Sequence, residues 1–187
     1  MAIETPKYKV LKKQNNYEIR QYDPYITASI EIEGKDYDKA TSRGFGYIAD
    51  YIFGNNTKKD SIPMTSPVLQ ETRSASEKIA MTAPVVTIKD KKVFRISFVM
   101  PSKYNLKTLP QPNNDSIILT EIPSYKAAVI SFSGIVNEQT IKAKTEELIN
   151  WIKDNKLKAT NLVQVARYNP PWTLWFLRRN EVIVLLA

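Results

Sequence analysis

The sequence contains neither cysteine nor histidine. Without cysteine, the chain forms no disulfide bond and offers no thiolate to a metal. Without histidine, it lacks the side chain that most often serves as general base and as metal ligand in proteins. A nucleophilic serine or threonine would have no histidine to activate it, and no glycine-rich phosphate loop is present. We therefore expect a protein that is not an enzyme.

Long apolar runs are also missing from the chain. No stretch approaches the roughly 18 apolar residues of a membrane-spanning helix. The first residues, MAIETPKYKVLKK, lack the apolar core of a secretory signal. We therefore expect a cytoplasmic protein without a membrane span.

Charge is the most unbalanced feature of the composition. The chain of 187 residues carries 27 basic and 19 acidic residues, a net charge of +8, which favours anionic partners. The basic residues are scattered, however, and are not interleaved with aromatic residues along any one segment, so we expect no nucleic-acid partner. The length suits one well-buried domain. We favour a monomer.

Alternation and turn signals predict the first elements of the chain. Residues 26–33 alternate apolar and polar side chains, which predicts a half-buried strand. Residues 17–22 are predicted to pair with it through a turn at Asp23-Pro24. A helix is predicted from about Asp36 to Phe53. Its inner stripe is formed by Ala40, Gly44, Ile48, Tyr51 and Ile52.

The same order of elements is then repeated along the chain. EKIAMTAPVVTIK and KVFRISFVMP are predicted to form two strands with a turn near Asp90. After a proline-punctuated connector, SIILTEIPSYKAAVISFSG predicts strand, turn and strand, and NEQTIKAKTEELINWIKDN predicts a second helix. NLVQVARY and EVIVLLA supply two final strands. With Gly134 aligned on Gly34, an offset of 134 − 34 = 100, Tyr25 falls on Tyr125.

This repetition predicts a single α+β domain over residues 1–187. The pseudo-repeats cover about 8–100 and 115–187, with a connector at 101–114. Each β-β-α-β-β unit alone would leave one sheet face open, so two units packed about a pseudo-two-fold axis would bury one shared core. We therefore predict a distorted eight-stranded antiparallel barrel or sheet with two helices.

A short motif is written twice, as IPMTSPV at 62–68 and as IAMTAPV at 79–85. Each proline blocks pairing at its own position, so both copies are predicted to lie at strand ends or edges. Met64 and Met81 are either packing residues at two strand starts or part of a binding site, since methionine fills irregular apolar space.

The doubled motif, together with FRISFVMPSKY, YDPYITASI and the tail ARYNPPWTLWFLRRNEV, resembles the SOUL heme-binding protein family. The resemblance runs from about Tyr8 to the C-terminus. It implies a distorted barrel of two pseudo-symmetric halves, related to the effector-binding domains of some bacterial regulators and gyrase inhibitors. It also implies binding of heme or another tetrapyrrole rather than catalysis.

The resemblance implies a cleft between the first helix and the loop before the last strand. One wall would be formed by Thr41, Phe45, Ile48, Ala49 and Ile52. The other would be formed by Tyr168, Trp172, Leu174, Trp175 and Phe176. Arg178, Arg179 and Arg43 are the cations expected to face the ligand's propionates, and Met64 and Met81 are further candidates for the site. In an alternative interpretation, Trp172, Trp175 and Phe176 are a hydrophobic plug that closes one end of the barrel.

Several positions depart from the family pattern. An iron contact by histidine is impossible, which leaves methionine, tyrosine, lysine or no ligand. Thr173 stands where vertebrate relatives place a lysine, and Ser42 stands about where an arginine is expected. The phenols near the implied cleft are Tyr37, Tyr47, Tyr51 and Tyr168. We therefore expect heme to be held weakly or without an axial ligand.

Two functions follow from these observations. The first is a non-catalytic carrier or buffer of heme or another tetrapyrrole, with an apolar cleft and no histidine ligand. The alternative is a small-molecule effector-binding or protein-interaction module of the gyrase-inhibitor-like fold, with no role in heme binding.

Overall fold

The computed structural model describes residues 3–74, 92–170 and 172–187. The predicted strand in EKIAMTAPVVTIK, the turn near Asp90 and Met81 lie outside the described residues. Within them the chain forms one antiparallel sheet and two helices. The strands are β1 (Tyr8–Gln14), β2 (Tyr17–Tyr22), β3 (Tyr25–Gly34), β4 (Val68–Ser74), β5 (Lys92–Val99), β6 (Ile118–Ile122), β7 (Tyr125–Phe132), β8 (Ala159–Arg167) and β9 (Asn180–Leu186). The helices are α1 (Tyr37–Ile52), α2 (Glu138–Asp154) and a 3₁₀ turn at Trp175–Leu177.

The strand order shows the predicted duplication directly. The sheet runs β1-β2-β7-β9-β8-β4-β5-β3-β6. When β1 is left out, exchanging β2, β3, β4 and β5 with β6, β7, β8 and β9 gives the same order read from the opposite edge, with the pseudo-two-fold axis between β8 and β4. The α+β prediction with two related halves is therefore confirmed. The sheet has nine strands in the described residues rather than eight, because β1 is added at one edge.

The predicted pairing of the strands at 17–22 and 26–33 is wrong. β2 pairs with β7, from Tyr17↔Ile130 to Tyr22↔Tyr125, whereas β3 pairs with β5 and β6. Pro24 explains the difference, because proline lacks an N–H and favours an extended residue before it. The chain therefore does not form a β2–β3 hairpin after Tyr22, and β3 lies between β5 and β6 at the other end of the strand order.

Helix α1 begins where the sequence predicts. The Asp36 carboxylate accepts a hydrogen bond of 2.9 Å from the Lys39 amide and caps the helix. The predicted inner stripe is buried against β3 and β5. A Cβ at Gly44 would lie 2.6 Å from Ile96 Cδ1, whereas one at Gly46 would meet nothing within 4 Å. Gly44 therefore serves close packing of helix on sheet.

Both helices pack on the same face of the sheet, here called the helix face. Ile30 and Ile96 pack in the α1 cluster, and Ile130 and Val182 pack in the α2 cluster. The opposite face, here called the far face, holds a third buried cluster. Its members are Tyr22, Leu69, Val99, Ala127, Val129, Ala166 and Ile183.

Candidate functional site

A cleft of about 320 Å³ opens on the helix face, beside the first turns of α1. This volume is at the lower end of the range typical of small-molecule sites. Helix α1 faces the start of β4, the turn before α2 and the segment that joins β8 to β9. The lining residues are Asp38, Thr41, Ser42, Phe45, Val68, Gln70, Gly134, Ile135, Val136, Arg167, Asn169, Arg178 and Asn180.

The spacing along α1 explains why these side chains share one wall. Positions 38, 41, 42 and 45 follow the i, i+3, i+4, i+7 pattern of a helix face. Phe45 packs on Phe98 with ring centroids 5.1 Å apart, and its side chain remains partly exposed. It therefore offers an apolar surface to the cleft from a fixed position.

Arg167, at the end of β8, places a cation in the cleft. Its Nη2 donates to the Val136 carbonyl at 3.2 Å and to the Tyr37 hydroxyl at 3.3 Å. Its guanidinium lies 5.6 Å from the Tyr37 ring centroid. Its Nε is buried and has no hydrogen-bond partner among the described residues.

Two further hydroxyl groups lie beside this arginine. The Tyr37 hydroxyl donates to the Gln70 side-chain carbonyl. Burial raises the pKa of Tyr37, and the charge of Arg167 acts against that increase. The Thr41 hydroxyl is buried and forms no hydrogen bond of normal geometry within the described part of the chain.

The segment from Trp172 to Arg178 borders the cleft. The Gly134 amide donates to the Trp175 carbonyl at 3.0 Å, and Arg178 Nε donates to the Thr173 carbonyl at 2.8 Å. The large apolar side chains of this segment are exposed to solvent, with exposed fractions from 52% at Phe176 to 84% at Trp172. The exposed set consists of Trp172, Leu174, Trp175, Phe176 and Leu177. These residues do not plug the barrel, so the plug interpretation is wrong.

The sequence profile of the SOUL heme-binding protein family matches residues 3–76 and 69–185. The chain belongs to the SOUL family. Human heme-binding protein 2 is 27% identical, over 96% of this chain and 88% of that protein. Heme-binding protein 1 of Xenopus tropicalis is 25% identical, over 89% of this chain and 81% of that protein.

Solved structures share the fold of this SOUL protein. The EcmrR C-terminal domain superposes with a TM-score of 0.65 at 14% identity, over 96% of this chain and 98% of that domain. A hydrolase from Listeria innocua superposes with a TM-score of 0.58 at 9% identity, over 95% of this chain and 94% of that one. At these identities the likeness concerns the fold alone.

Three of the predicted site residues line the cleft of this SOUL protein: Thr41, Phe45 and Arg178. Ile48, Ala49 and Ile52 are instead buried in the core. They lie further along α1, where other parts of the chain cover the helix: Ile62 packs in the same cluster, and its amide donates to the Ile52 carbonyl at 2.7 Å.

Tyr168 and Arg179 point to the far face. The Tyr168 hydroxyl donates to Glu181 Oε2 at 2.7 Å, and Arg179 Nη2 pairs with Glu181 Oε1 at 2.7 Å. The Arg179 guanidinium also lies 4.2 Å from the Tyr168 ring centroid. Both side chains are thus committed to Glu181 and do not face the cleft.

The remaining predicted residues lie outside the cleft wall. Arg43 and Met64 are exposed and are not among the lining residues. Trp172, Leu174, Trp175 and Phe176 border the opening without lining it. Met81 lies outside the described residues.

The sequence also contained a signal for Arg167 that our interpretation missed. Val163 and Val165 in β8 face the helices, so alternation places Arg167 on the same face. Asn169, Asn180 and the apolar pair Ile135 and Val136 had no comparable signal, because loops and distant strand ends bring them together.

The candidate iron contacts are also placed by the structure. Burial raises the pKa of Tyr51 to about 12, and its hydroxyl donates to the Pro110 carbonyl at 2.7 Å. Burial likewise raises the pKa of Tyr168. Tyr47 is exposed and does not line the cleft. Among the described residues, no group of three or more acidic side chains is arranged to hold a metal ion.

Neither helix in the described ranges is long and apolar enough to cross a bilayer.

Proposed function

We propose that this SOUL protein binds heme or another tetrapyrrole in the cleft on its helix face and acts as a non-catalytic carrier or buffer. One observation supports this most strongly: a single cleft combines apolar walls with two arginines. Phe45, Val68 and Val136 supply apolar surface, and Arg167 and Arg178 supply positive charge. A tetrapyrrole with propionate groups has the matching chemistry, since its ring is flat and apolar and its edge is anionic.

In this proposal the chain supplies binding and shielding. The ring edge enters beside Phe45, and the exposed aromatic residues Trp172 and Trp175 fold over the part that projects from the cleft. Such an exposed apolar patch on a protein surface usually marks a binding site. Bound heme would bring an iron centre, whereas the residues of this chain hold the ring and its propionates.

The described tyrosines favour binding without an axial ligand. Tyr37, Tyr51 and Tyr168 are each engaged in a hydrogen bond, and burial raises the pKa of each phenol. Phenolate is therefore disfavoured at neutral pH. We propose that affinity depends on the macrocycle rather than on iron.

The test is a titration with hemin and with protoporphyrin IX, followed by the Soret band and by tryptophan quenching. We expect both ligands to bind with a dissociation constant below about 100 μM, roughly −5.5 kcal/mol, and with similar affinities. Trp172→Ala and Trp175→Ala should weaken both ligands. Trp151→Phe is the control, because Trp151 is buried on α2 in the other core cluster. If neither ligand binds, the proposal is wrong. If hemin binds much more tightly than protoporphyrin IX, the proposed binding without an axial iron ligand is wrong.

The alternative function, an effector-binding module without a heme role, is favoured by one observation. A second groove of about 300 Å³ lies on the far face and is lined by polar side chains that include Ser29, Ser97 and Gln164. The buried Gln164 Oε1 has no hydrogen-bond partner within the described residues. Native mass spectrometry of the purified protein tests this function. A co-purifying ligand that is not a tetrapyrrole, released by Gln164→Ala, would favour it over the first.

A further inference from the structure

Arg167 differs from other arginines of the described chain in its partners. Arg20 pairs with Glu181 at 2.9 Å, Arg95 pairs with Glu31 at 2.7 Å, and Arg179 also pairs with Glu181. Arg167 is half-buried and has no acidic partner within the described residues. Its hydrogen bonds go to two neutral oxygens at 3.2 and 3.3 Å. A cation withdrawn from water normally acquires an anion, so this arrangement is incomplete.

A second incomplete donor lies in the same cleft. Thr41 is only 9% exposed, and its hydroxyl forms no hydrogen bond of normal geometry with the described residues. Arg167 Nε is unpartnered in the same way. Both residues line the cleft between α1 and the end of β8. The only other unpartnered buried side-chain atom in the described ranges, Gln164 Oε1, belongs to a residue that lines the far-face groove.

The chemistry of these two donors defines the group that completes them. A guanidinium N–H and a hydroxyl both donate, so the missing partner accepts hydrogen bonds. Arg167, Arg178 and Asp38 are the charged residues of the lining, which gives +2 − 1 = +1. The partner is therefore an anion, and the apolar walls require that it be attached to an apolar body. A carboxylate on a flat hydrophobic molecule meets both conditions.

We propose that Arg167 and Thr41 hold a carboxylate of the ligand, so that the cleft recognises the acidic side chains of a tetrapyrrole through a cation on β8. This inference rests on the proposed tetrapyrrole function of the cleft. Ser42 and Thr173 are neutral residues at positions where cations were expected. In this proposal Arg167, at the end of β8, supplies the positive charge that they lack.

Arg167 can make this exchange at low cost. Its present bonds lie at the long end of the N–H···O range and involve uncharged acceptors. A carboxylate would replace them with shorter, charge-assisted and bidentate bonds. The Arg167 guanidinium must turn away from Val136 to meet the carboxylate, because Arg167 Nε is buried in the present arrangement.

The experiment compares protoporphyrin IX with its dimethyl ester, with both kept monomeric in the same dilute detergent. Wild-type protein should bind the free acid about ten-fold or more tightly than the ester. In Arg167→Met this preference should disappear, with the acid binding as weakly as the ester. Arg167→Lys should recover part of the preference. Thr41→Val should reduce it by roughly three-fold, since one uncharged donor is lost. Arg43→Met is the matched control, because Arg43 is exposed and does not line the cleft, and it should keep the full preference.

The outcomes separate this inference from the function on which it rests. If the wild-type protein binds acid and ester equally, or if Arg167→Met weakens both by the same factor, the carboxylate contact is wrong while tetrapyrrole binding stands. If neither porphyrin binds the wild-type protein, the proposed function itself fails. Circular dichroism establishes that each variant is folded. Should Arg167→Met not fold, the Arg167→Lys and Thr41→Val proteins decide the question by the same ratio.

Discussion

Two arginines on opposite faces of the sheet, Arg20 buried and Arg167 half-buried, differ in the partners of their guanidinium groups. On the far face, Arg20 donates two hydrogen bonds of 2.9 Å to the carboxylate of Glu181 and one of 3.0 Å to Tyr22. On the helix face, Arg167 donates hydrogen bonds only to neutral oxygens among the described residues. The two sites are neighbours, because Arg167 pairs with Asn180, the residue next to Glu181.

The difference separates a structural network from a binding site. Burial alone raises the pKa of Glu181, but hydrogen bonds and the charge of Arg20 outweigh this and hold the pKa below its usual value. Tyr168 and Ser131 also donate to Glu181. A network completed in this way fixes the packing of the far face. On the helix face, Arg167 Nε and the Thr41 hydroxyl have no hydrogen-bond partner among the described residues, so they remain available to a ligand.

The largest expected effect is a loss of stability on the far face. Arg20→Met leaves the Glu181 carboxylate buried without its main partner, and we expect the free energy of unfolding to fall by about 3–5 kcal/mol. Arg167→Met should change it by less than about 1 kcal/mol, because no buried anion is left unpaired. Urea denaturation of both variants provides the measurement. Equal losses of unfolding free energy in the two variants would contradict the proposed difference between the two arginines.

A smaller effect concerns the two sides of α1. Gly44→Ala places a methyl group against Ile96, and such overpacking typically costs about 1–3 kcal/mol of unfolding free energy. Gly46→Ala is the matched control, because its methyl group meets nothing within 4 Å. It should stabilise the helix by up to about 1 kcal/mol. Thermal unfolding of the pair checks this. A stabilised Gly44→Ala protein would show that this side of α1 is not closely packed.

The smallest effect is the pH dependence of stability that Glu181 should give the far face. A glutamate whose pKa is lowered in the folded state contributes stability above its ordinary pKa of 4.5 and loses it as the pH falls through the folded value. Glu181→Gln should therefore be less stable than wild type at neutral pH, and the gap should narrow below pH 4.5. Urea titrations at several pH values measure the gap. A gap that stays constant with pH would contradict the assigned role of Glu181.

Much of the fold could be predicted from local patterns. The start of α1 near Asp36, the alternation of β3 from Ile30 to Glu33 and the repeat that aligns Tyr25 with Tyr125 have their expected counterparts, whereas Thr27 and Ser29 of β3 are buried as well. Tyr25 and Tyr125 even meet in space, with hydroxyl oxygens 2.9 Å apart. The pairing of β2 with β7 could not be predicted, because it joins residues about a hundred positions apart and the turn signal at Pro24 suggested a hairpin.

The site was predictable only in part for a related reason. The family resemblance placed Thr41 and Phe45 at the cleft, but the wall that it implied continues to Ile48 and Ile52, which other segments of the chain cover. Sequence spacing gives the face of a helix and does not show where along that face a loop ends the exposed surface. Arg167 was missed because its role depends on which face of β8 meets α1.

The central claim is that the ligand lies on the helix face, and NMR of the ¹⁵N-labelled protein tests it most directly. Iron-free protoporphyrin IX shifts nearby amide signals through its ring current without paramagnetic broadening. We predict shifts concentrated at residues 41–45, 134–136 and 172–178, with the far-face strands around Ser29 and Ser97 unchanged. Shifts centred on Ser29 and Ser97, with the cleft residues silent, would contradict the account.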